Sequence, residues 1–152
     1  LFVEGETILS TEHGPRGGDE INKIIRNKNY GWPLASYGHY YYTDEKKYFK
    51  SHSNHGFKEP IFTYIKSIGI SEIVKIPNKF MEEEDLENIF FISSLNGMSL
   101  YLVKFGEDYE KIFFSEKIFI NQRIRDLKYI KKYNFFLLAL ERPSQLAVLK
   151  IQ

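Results

Sequence analysis

Residues 88–105 read NIFFISSLNGMSLYLVKF, and this stretch decides the fold class. Two apolar runs, Asn88 to Ser94 and Met98 to Phe105, lie on either side of the dipeptide Asn96-Gly97. Asn-Gly between two apolar runs is the strongest short-range signal for a β-hairpin, because both residues tolerate the positive φ of a tight turn. The stretch therefore predicts two antiparallel strands joined at Asn96-Gly97.

Strand-like runs rich in β-branched and aromatic residues continue on both sides of this hairpin. In the second half of the chain they recur at roughly 8–12-residue spacing, with turn residues between them. The pattern predicts an all-β sandwich, barrel or propeller. The segment Tyr37 to Glu59 has no clear period and is predicted to be a long loop. The predicted strands are 6–11, 61–66, 70–76, 88–94, 98–105, 111–116, 123–130, 134–141 and 145–151.

Composition excludes several classes of protein. The chain has 152 residues, enough for one domain, and its net charge of +1 gives no global field that would attract nucleic acid. It has no cysteine, so disulfide scaffolds and thiolate metal sites are excluded. No apolar run approaches the length of a membrane span. The acidic run Glu82 to Asp85 is predicted to be a loop or a helix terminus.

Residues 12–22, EHGPRGGDEIN, combine glycine, proline and hard oxygen ligands in eleven positions. Gly14 has an unrestricted backbone and Pro15 has a fixed φ. Together they can turn neighbouring backbone carbonyls outward, which suits a hard cation such as calcium. Asp19 and Glu20 could add carboxylate ligands. The alternative is a turn in which Asp19 caps a short helix from Ile21 to Ile25.

Two further groups of residues could carry chemistry. Arg123 and Arg125 lie two apart in a predicted strand, so both guanidiniums project from one face, where an anionic ligand would satisfy both. The alternative is an exposed pair neutralised by local acids. His52 and His55 have an i, i+3 spacing without helical context or a third ligand, and are predicted to be exposed loop histidines.

Three motifs in one order resemble a known family: EHGPRGGDEIN at 12–22, NYGWPLASYG at 29–38 and QRIRD at 122–126. They are similar to the soluble quinoprotein glucose/sorbosone dehydrogenase family, and more narrowly to its aldose sugar dehydrogenase branch. The resemblance covers essentially all of the chain, closely from 12 to 38. It implies a six-bladed β-propeller that uses pyrroloquinoline quinone and calcium to oxidise the C1 hydroxyl of aldoses to lactones, in the periplasm or outside the cell.

The resemblance also implies roles for particular residues. The carbonyls of Gly14 and Pro15 match positions that hold the cofactor-bound calcium, and His13 matches a position that lines the quinone pocket. Arg123 and Arg125 match a pair that clamps the carboxylates of the cofactor. Asn96 stands at a cofactor-facing position where the family often has lysine. A second, structural calcium site is implied at Glu20 and the carbonyl of Tyr30.

The resemblance covers only part of a propeller. Nine predicted strands would fill two to three four-stranded blades, so residues 1–152 are expected to be the C-terminal segment of a larger propeller, with the N-terminal blades missing. The catalytic histidine of the family falls before the first motif, so this segment alone is expected to be inactive. Asn96 and Ile65 stand where the resembling family often has a lysine and an aromatic residue. These two differences favour an alternative: a calcium-stabilised binding module without redox activity.

Overall fold

The computed structural model describes residues 1–43, 45–80 and 87–151, so the acidic run Glu82 to Asp85 lies outside the described residues. Within them the chain forms β-strands and two short 3-10 turns, Ser53–His55 and Asn78–Phe80. No helix among these residues is long and apolar enough to cross a membrane. The strands are β1 Phe2–Glu4, β2 Thr7–Glu12, β3 Asp19–Lys23, β4 Phe62–Tyr64, β5 Ile70–Lys75, β6 Ile89–Ser94, β7 Ser99–Phe105, β8 Ile112–Phe119, β9 Ile124–Ile130, β10 Phe135–Leu140 and β11 Gln145–Leu149.

The strands form three antiparallel sheets in chain order. The first sheet has the order β1-β2-β3-β4, the second β5-β6-β7-β8 and the third β11-β10-β9. Neighbouring sheets meet through β5, which contacts β2 of the first sheet and β9 of the third. The all-β prediction is therefore confirmed, and the chain is a stack of three sheets.

Strand β6 of the second sheet is buried on both faces. Phe90 and Ile92 on one face of β6 pack into a cluster with residues of the first sheet. Ile89 and Phe91 on the other face pack against the third sheet. Because alternate residues of a strand point to opposite faces, all six positions of β6 are buried. This explains why the sequence of β6 is a nearly continuous apolar run.

The predicted hairpin is present, but its turn is longer than the Asn-Gly signal indicates. β6 and β7 pair in antiparallel register, with Ser93 opposite Leu100, and four residues connect them. The left-handed residue is Met98, with a φ of 47°, rather than the glycine. The hydroxyl of Ser94 closes the loop by accepting the N–H of Ser99 at 3.2 Å.

Two strands, β1 and β3, were missed. β1 was not predicted, and β3 occupies Asp19–Lys23, which overlaps the short helix from Ile21 to Ile25 that the alternative interpretation placed after Asp19. That helix is wrong, because β3 pairs with β2 on one side and β4 on the other. The long loop is confirmed: in its described residues, the segment from 37 to 59 contains one 3-10 turn and a single bridge from Phe49 to Ala35.

Candidate functional site

Five loops lie together at one end of the stack. Because the strands alternate in direction, the β2–β3, β6–β7 and β10–β11 turns and the β4–β5 and β8–β9 connections share that end. The residues singled out by the family resemblance lie in or beside four of these loops, except Tyr30, which is in the long β3–β4 connection. Antiparallel order thus places residues that are more than 100 positions apart at the same end of the stack.

Asp19, at the start of β3, holds two of these loops. Its side chain is fully buried, and its carboxylate accepts the N–H groups of Gly14 at 3.0 Å, Ile68 at 2.9 Å and Ile70 at 3.2 Å. The hydroxyl of Ser67 donates to both carboxylate oxygens. A buried carboxylate is tolerated when its oxygens are satisfied in this way. Asp19 is therefore a link between the first and second sheets, not a helix cap.

The β2–β3 loop is packed against backbone on every side. A Cβ on Gly14 would overlap the carbonyl oxygen of Gly17, and one on Gly18 would overlap the backbone of Gly38. The carbonyl of Pro15 accepts the N–H of His39 at 2.6 Å, so one of its lone pairs is already used. Glycine is required at these positions because backbone approaches backbone too closely for a side chain.

Four of the predicted residues surround one small pocket of about 50 Å³: His13, Gly14, Glu20 and Tyr30. Glu12, which the sequence did not single out, also lines it. The remaining lining residues are Gly18, Trp32, Ala35 and Ser36. Two carboxylates, Glu12 and Glu20, line the pocket, and its volume suits an ion with a few waters rather than an organic ligand.

Asn22 bridges the two carboxylates beside this pocket. Its amide nitrogen donates to Glu12 at 3.1 Å and to Glu20 at 3.4 Å, while its own oxygen is buried without a hydrogen-bond partner. Burial, opposed by the bond from Asn22 and aided by the nearby charges of Glu12 and Glu59, raises the pKa of Glu20 to about 7. A cation would relieve this repulsion between carboxylates.

The side-chain hydroxyl of Tyr30 anchors this residue. The hydroxyl donates to the carbonyl of Lys23 and accepts the N–H of Ile25 at 2.9 Å. These bonds tie the start of the long loop to the end of β3, which keeps the backbone of Tyr30 beside the pocket. No cluster of three His, Asp or Glu side chains with metal-binding geometry occurs among the described residues, so a cation there would need carbonyl ligands.

His52 is buried, so the prediction of an exposed histidine is wrong for it. Its Nε2 lies 3.6 Å from Glu20 and its Nδ1 lies 3.4 Å from Glu59, and burial lowers the pKa of His52. Glu59 also accepts the hydroxyl of Tyr37 at 2.9 Å and the N–H of Ser53 at 2.8 Å. Burial raises the pKa of Glu59, but these bonds outweigh it and hold that pKa below its usual value.

Asn96 is positioned by the neighbouring loop. Its amide nitrogen donates to the carbonyl of Ser67 at 2.9 Å, and the N–H of Gly97 donates to the carbonyl of Ile68 at 2.7 Å. The β6–β7 turn is therefore fastened to the β4–β5 loop, which also carries the partners of Asp19. Ile65 in that loop is exposed.

Arg123 and Arg125 converge, as predicted, but a local acid lies between them. The Nε of Arg123 donates to Oε2 of Glu141 at 2.8 Å, and Nη2 of Arg125 lies 3.0 Å from the same oxygen. The hydrogen bond from Arg123 and the charges of the arginines hold the pKa of Glu141 below its usual value. In this structure the two arginines are thus paired with a local acid, as the alternative interpretation predicted.

A second, larger cleft of about 460 Å³ lies in the long loop. Tyr40 and Tyr48 stack at 4.1 Å between ring centroids, and Lys50 donates to the carbonyls of Ser36 and Gly38. Desolvation lowers the pKa of Lys50. The cleft is lined by Gly38, His39, Tyr40, Lys46, Lys47, Tyr48 and Lys50.

A family model described as Glucose / Sorbosone dehydrogenase matches residues 2–148 of the chain. The chain belongs to the glucose/sorbosone dehydrogenase family. Aldose sugar dehydrogenase YliI of Escherichia coli K12 is 33% identical over 120 residues, which is 77% of this chain and 31% of that protein. Uncharacterized protein slr1608 of Synechocystis is 52% identical over 40 residues, 26% of this chain and 10% of that protein.

Solved structures of an aldose sugar dehydrogenase and a glucose dehydrogenase share the fold. The soluble aldose sugar dehydrogenase of Escherichia coli superposes with a TM-score of 0.77 at 26% identity, over 96% of this chain and 42% of that one. A glucose dehydrogenase superposes with a TM-score of 0.75 at 26% identity, over 97% and 42%. The chain thus spans less than half the length of the proteins that it matches. The three sheets are blades of a partial β-propeller, and the predicted fold is confirmed.

Proposed function

We propose that the chain is the C-terminal part of a dehydrogenase that uses pyrroloquinoline quinone and calcium to oxidise the C1 hydroxyl of aldoses to lactones, in the periplasm or outside the cell. Membership of the glucose/sorbosone dehydrogenase family supports this reaction class. The observation that carries the proposal further is the gathering of the motif residues at one end of the three blades.

The arginine pair fits the carboxylates of the quinone. Glu141 takes one donor from each of Arg123 and Arg125, so most of their N–H groups are left for a ligand. Planar guanidiniums recognise carboxylates through paired hydrogen bonds. In this proposal the two arginines bind and orient the cofactor, while His13 and Asn96 line its pocket.

The oxygen-rich pocket fits calcium. Glu20 and the carbonyl of Tyr30 would hold a structural ion, and Glu12 stands beside them. The carbonyls of Gly14 and Pro15 would hold a second ion next to the quinone, with the Pro15 oxygen shared with His39. Calcium prefers such mixtures of carboxylate and carbonyl oxygens. Bound together, quinone and calcium would supply a two-electron acceptor polarised by a Lewis acid.

The proposal divides the work between this chain and the rest of the propeller. These blades would bind and position cofactor and metal, whereas the base that takes the sugar proton would come from blades outside residues 1–152. The chain alone is therefore expected to lack activity, and the aldose is the substrate of the assembled ring.

Reconstitution tests the proposal. The full-length gene product is incubated with calcium and pyrroloquinoline quinone, and reduction of a redox dye is followed with glucose and other aldoses. We expect dye reduction that depends on quinone, calcium and sugar, and that falls at least about a hundredfold in the R123Q/R125Q double variant, because two charge-assisted contacts are lost. K128Q, an exposed change on β9, is the matched control. No quinone uptake by the wild type would contradict the proposal.

The cleft in the long loop favours a second candidate function. Stacked tyrosines beside lysines suit a glycan or another partner, and Asn96 and Ile65 stand where the family often has a cation and a ring. In this alternative the chain is a calcium-stabilised binding module without redox activity. Calcium binding without quinone uptake would favour it, together with oligosaccharide binding that Y40A removes.

A further inference from the structure

One carboxylate stands among three arginines at the end of the third sheet. Oε2 of Glu141 receives Arg123 at 2.8 Å and lies 3.0 Å from Arg125, while its Oε1 lies 3.7 Å from Nε of Arg142. One negative charge faces three positive ones, so the group keeps a net charge of about +2. Such an excess at an open surface attracts an anion.

The backbone places Glu141 in this position. Its N–H donates to the carbonyl of Arg123 at 2.9 Å, directly after the pairing of Leu140 with Ile124. The register shifts at this point, because Ala139 pairs with Asp126 and the residue between Ile124 and Asp126 has no opposite residue. That extra residue is Arg125, and a bulge of this kind redirects a side chain.

The contacts leave the outward donors free. Glu141 uses the Nε of Arg123, so both terminal nitrogens of that guanidinium are left over, and it uses only Nη2 of Arg125. The side chains of Arg123 and Arg125 are 35% and 57% exposed, so these donors reach solvent. Without a carboxylate behind them, two adjacent guanidiniums repel and their long side chains are free to separate.

We propose that Glu141 is a positioning residue for anion binding: it holds Arg123 and Arg125 side by side, with their free N–H groups directed at the carboxylates of the cofactor. The inference rests on the function proposed above, since it concerns how the same arginines bind the quinone. Glu141 acts through the arginines and does not touch the reacting atoms.

A second effect of Glu141 opposes quinone binding. Glu141 also repels an incoming carboxylate, so its removal would tighten quinone binding if repulsion exceeded positioning. Repulsion between charges that are not in contact is largely screened at high ionic strength, whereas short hydrogen bonds are not. A salt concentration of about 0.3 M therefore isolates the positioning effect.

The experiment titrates pyrroloquinoline quinone into the full-length gene product with calcium present, by calorimetry at about 0.3 M NaCl. The variants are E141A, which removes the acceptor, and E141Q, which keeps an acceptor without charge. The matched control is E116Q, an exposed carboxylate on β8. Thermal unfolding of each variant checks that the fold is retained.

We expect E141A to raise the Kd for quinone about tenfold, as for the loss of charge-assisted contacts, with E141Q in between and E116Q unchanged. Turnover at saturating quinone should change little, because only cofactor positioning is altered. Equal or tighter binding by E141A, with normal binding by the wild type, would overturn this inference alone. Failure of the wild type to bind quinone would overturn it together with the proposed function.

Discussion

Asp19 shows how a single side chain can set the geometry of a site that it does not line. Its buried carboxylate accepts N–H groups from Gly14 in one loop, from Ile68 in another and from Ile70 at the start of β5. The first loop carries the candidate calcium-facing turn, and the second fastens Asn96 through Ser67. Any change at Asp19 therefore alters several candidate ligands at once.

The substitution D19N tests this role. An amide presents its NH2 group to backbone donors that need an acceptor, so at least one buried N–H loses its partner. We expect a loss of about 2–4 kcal/mol in the free energy of unfolding, measured by urea denaturation. D126N is the control, because Asp126 is exposed on β9 and should cost less than about 0.5 kcal/mol. Equal effects of the two would contradict the role of Asp19.

Glu20 makes stability and calcium binding depend on pH in opposite directions. Its pKa is about 7 in the fold, above the usual 4.5, so the folded state holds a proton that the unfolded chain has released between these values. Without calcium, stability should therefore be greatest below about pH 4.5 as far as Glu20 is concerned, and should fall as pH rises towards 7.

Calcium should reverse this trend, because the ion binds the ionised carboxylate and displaces the proton. We expect the calcium affinity to rise about tenfold per pH unit between about pH 5 and 7, measured by calorimetry. E20Q should remove both the pH dependence and most of the calcium binding, whereas E72Q, away from the pocket, should change neither. A calcium affinity independent of pH would refute the assignment of Glu20 as a ligand.

At this scale the sequence predicted residue types better than partners. The spacing of Arg123 and Arg125 predicted that they project from one face. The position of Glu141 between them depends on the register of β9 and β10, which no local pattern reveals. His52 was assigned to the surface because it has no helical context and no third ligand nearby, yet it is buried beside Glu20 and Glu59. Burial of a loop residue depends on tertiary packing, not on local composition.

Among the elements, β6 and β7 were predictable and β3 was not. An apolar run with a turn signal defines the hairpin locally, although Ser94 and Met98 make the turn longer than two residues. β3 has the sequence DEINK, whose acids, amide and lysine have low strand propensity. It becomes a strand because β2 and β4 pair on both sides of it, so pairing overrides propensity.

Two phenylalanines on different strands differ strongly in burial. Phe90 on β6 is fully buried between the first and second sheets, whereas Phe113 on β8 is 68% exposed. We expect F90A to lower the free energy of unfolding by about 3–5 kcal/mol, and F113A by less than about 0.5 kcal/mol. Urea denaturation of both variants measures the difference. Similar losses would show that the sheets do not stack in this order.

Over the whole molecule, the candidate site is a property of the stack rather than of any blade. The first sheet carries the carboxylate pocket, the second carries Asn96 and the loop that Asp19 holds, and the third carries the arginines. The motifs indicated that these residues belong together, because their order resembled that of one family. The contacts that join the blades could not be predicted, since they run between loops far apart in the chain.

The open edge of the third sheet should make the chain associate. β11 is the last strand of that sheet, and its Leu146 and Val148 are 70% and 54% exposed. An edge strand with apolar side chains pairs readily with other chains. We expect residues 1–152 to self-associate at micromolar concentration, and L146K/V148K to shift them towards monomer, measured by sedimentation velocity. Y133K, an exposed change outside the strands, is the control. A monomeric wild type would contradict this.

The burial of β6 on both faces also bears on how the protein can vary. Most strands have one face on which substitutions are tolerated, but every side chain of β6 is buried. In a saturation mutagenesis screen, Ile89 to Ser94 should therefore accept the fewest substitutions in the chain, while β8, nearly all of it exposed, accepts many. The stack thus concentrates sequence constraint in a strand that itself supplies none of the candidate cofactor or metal ligands.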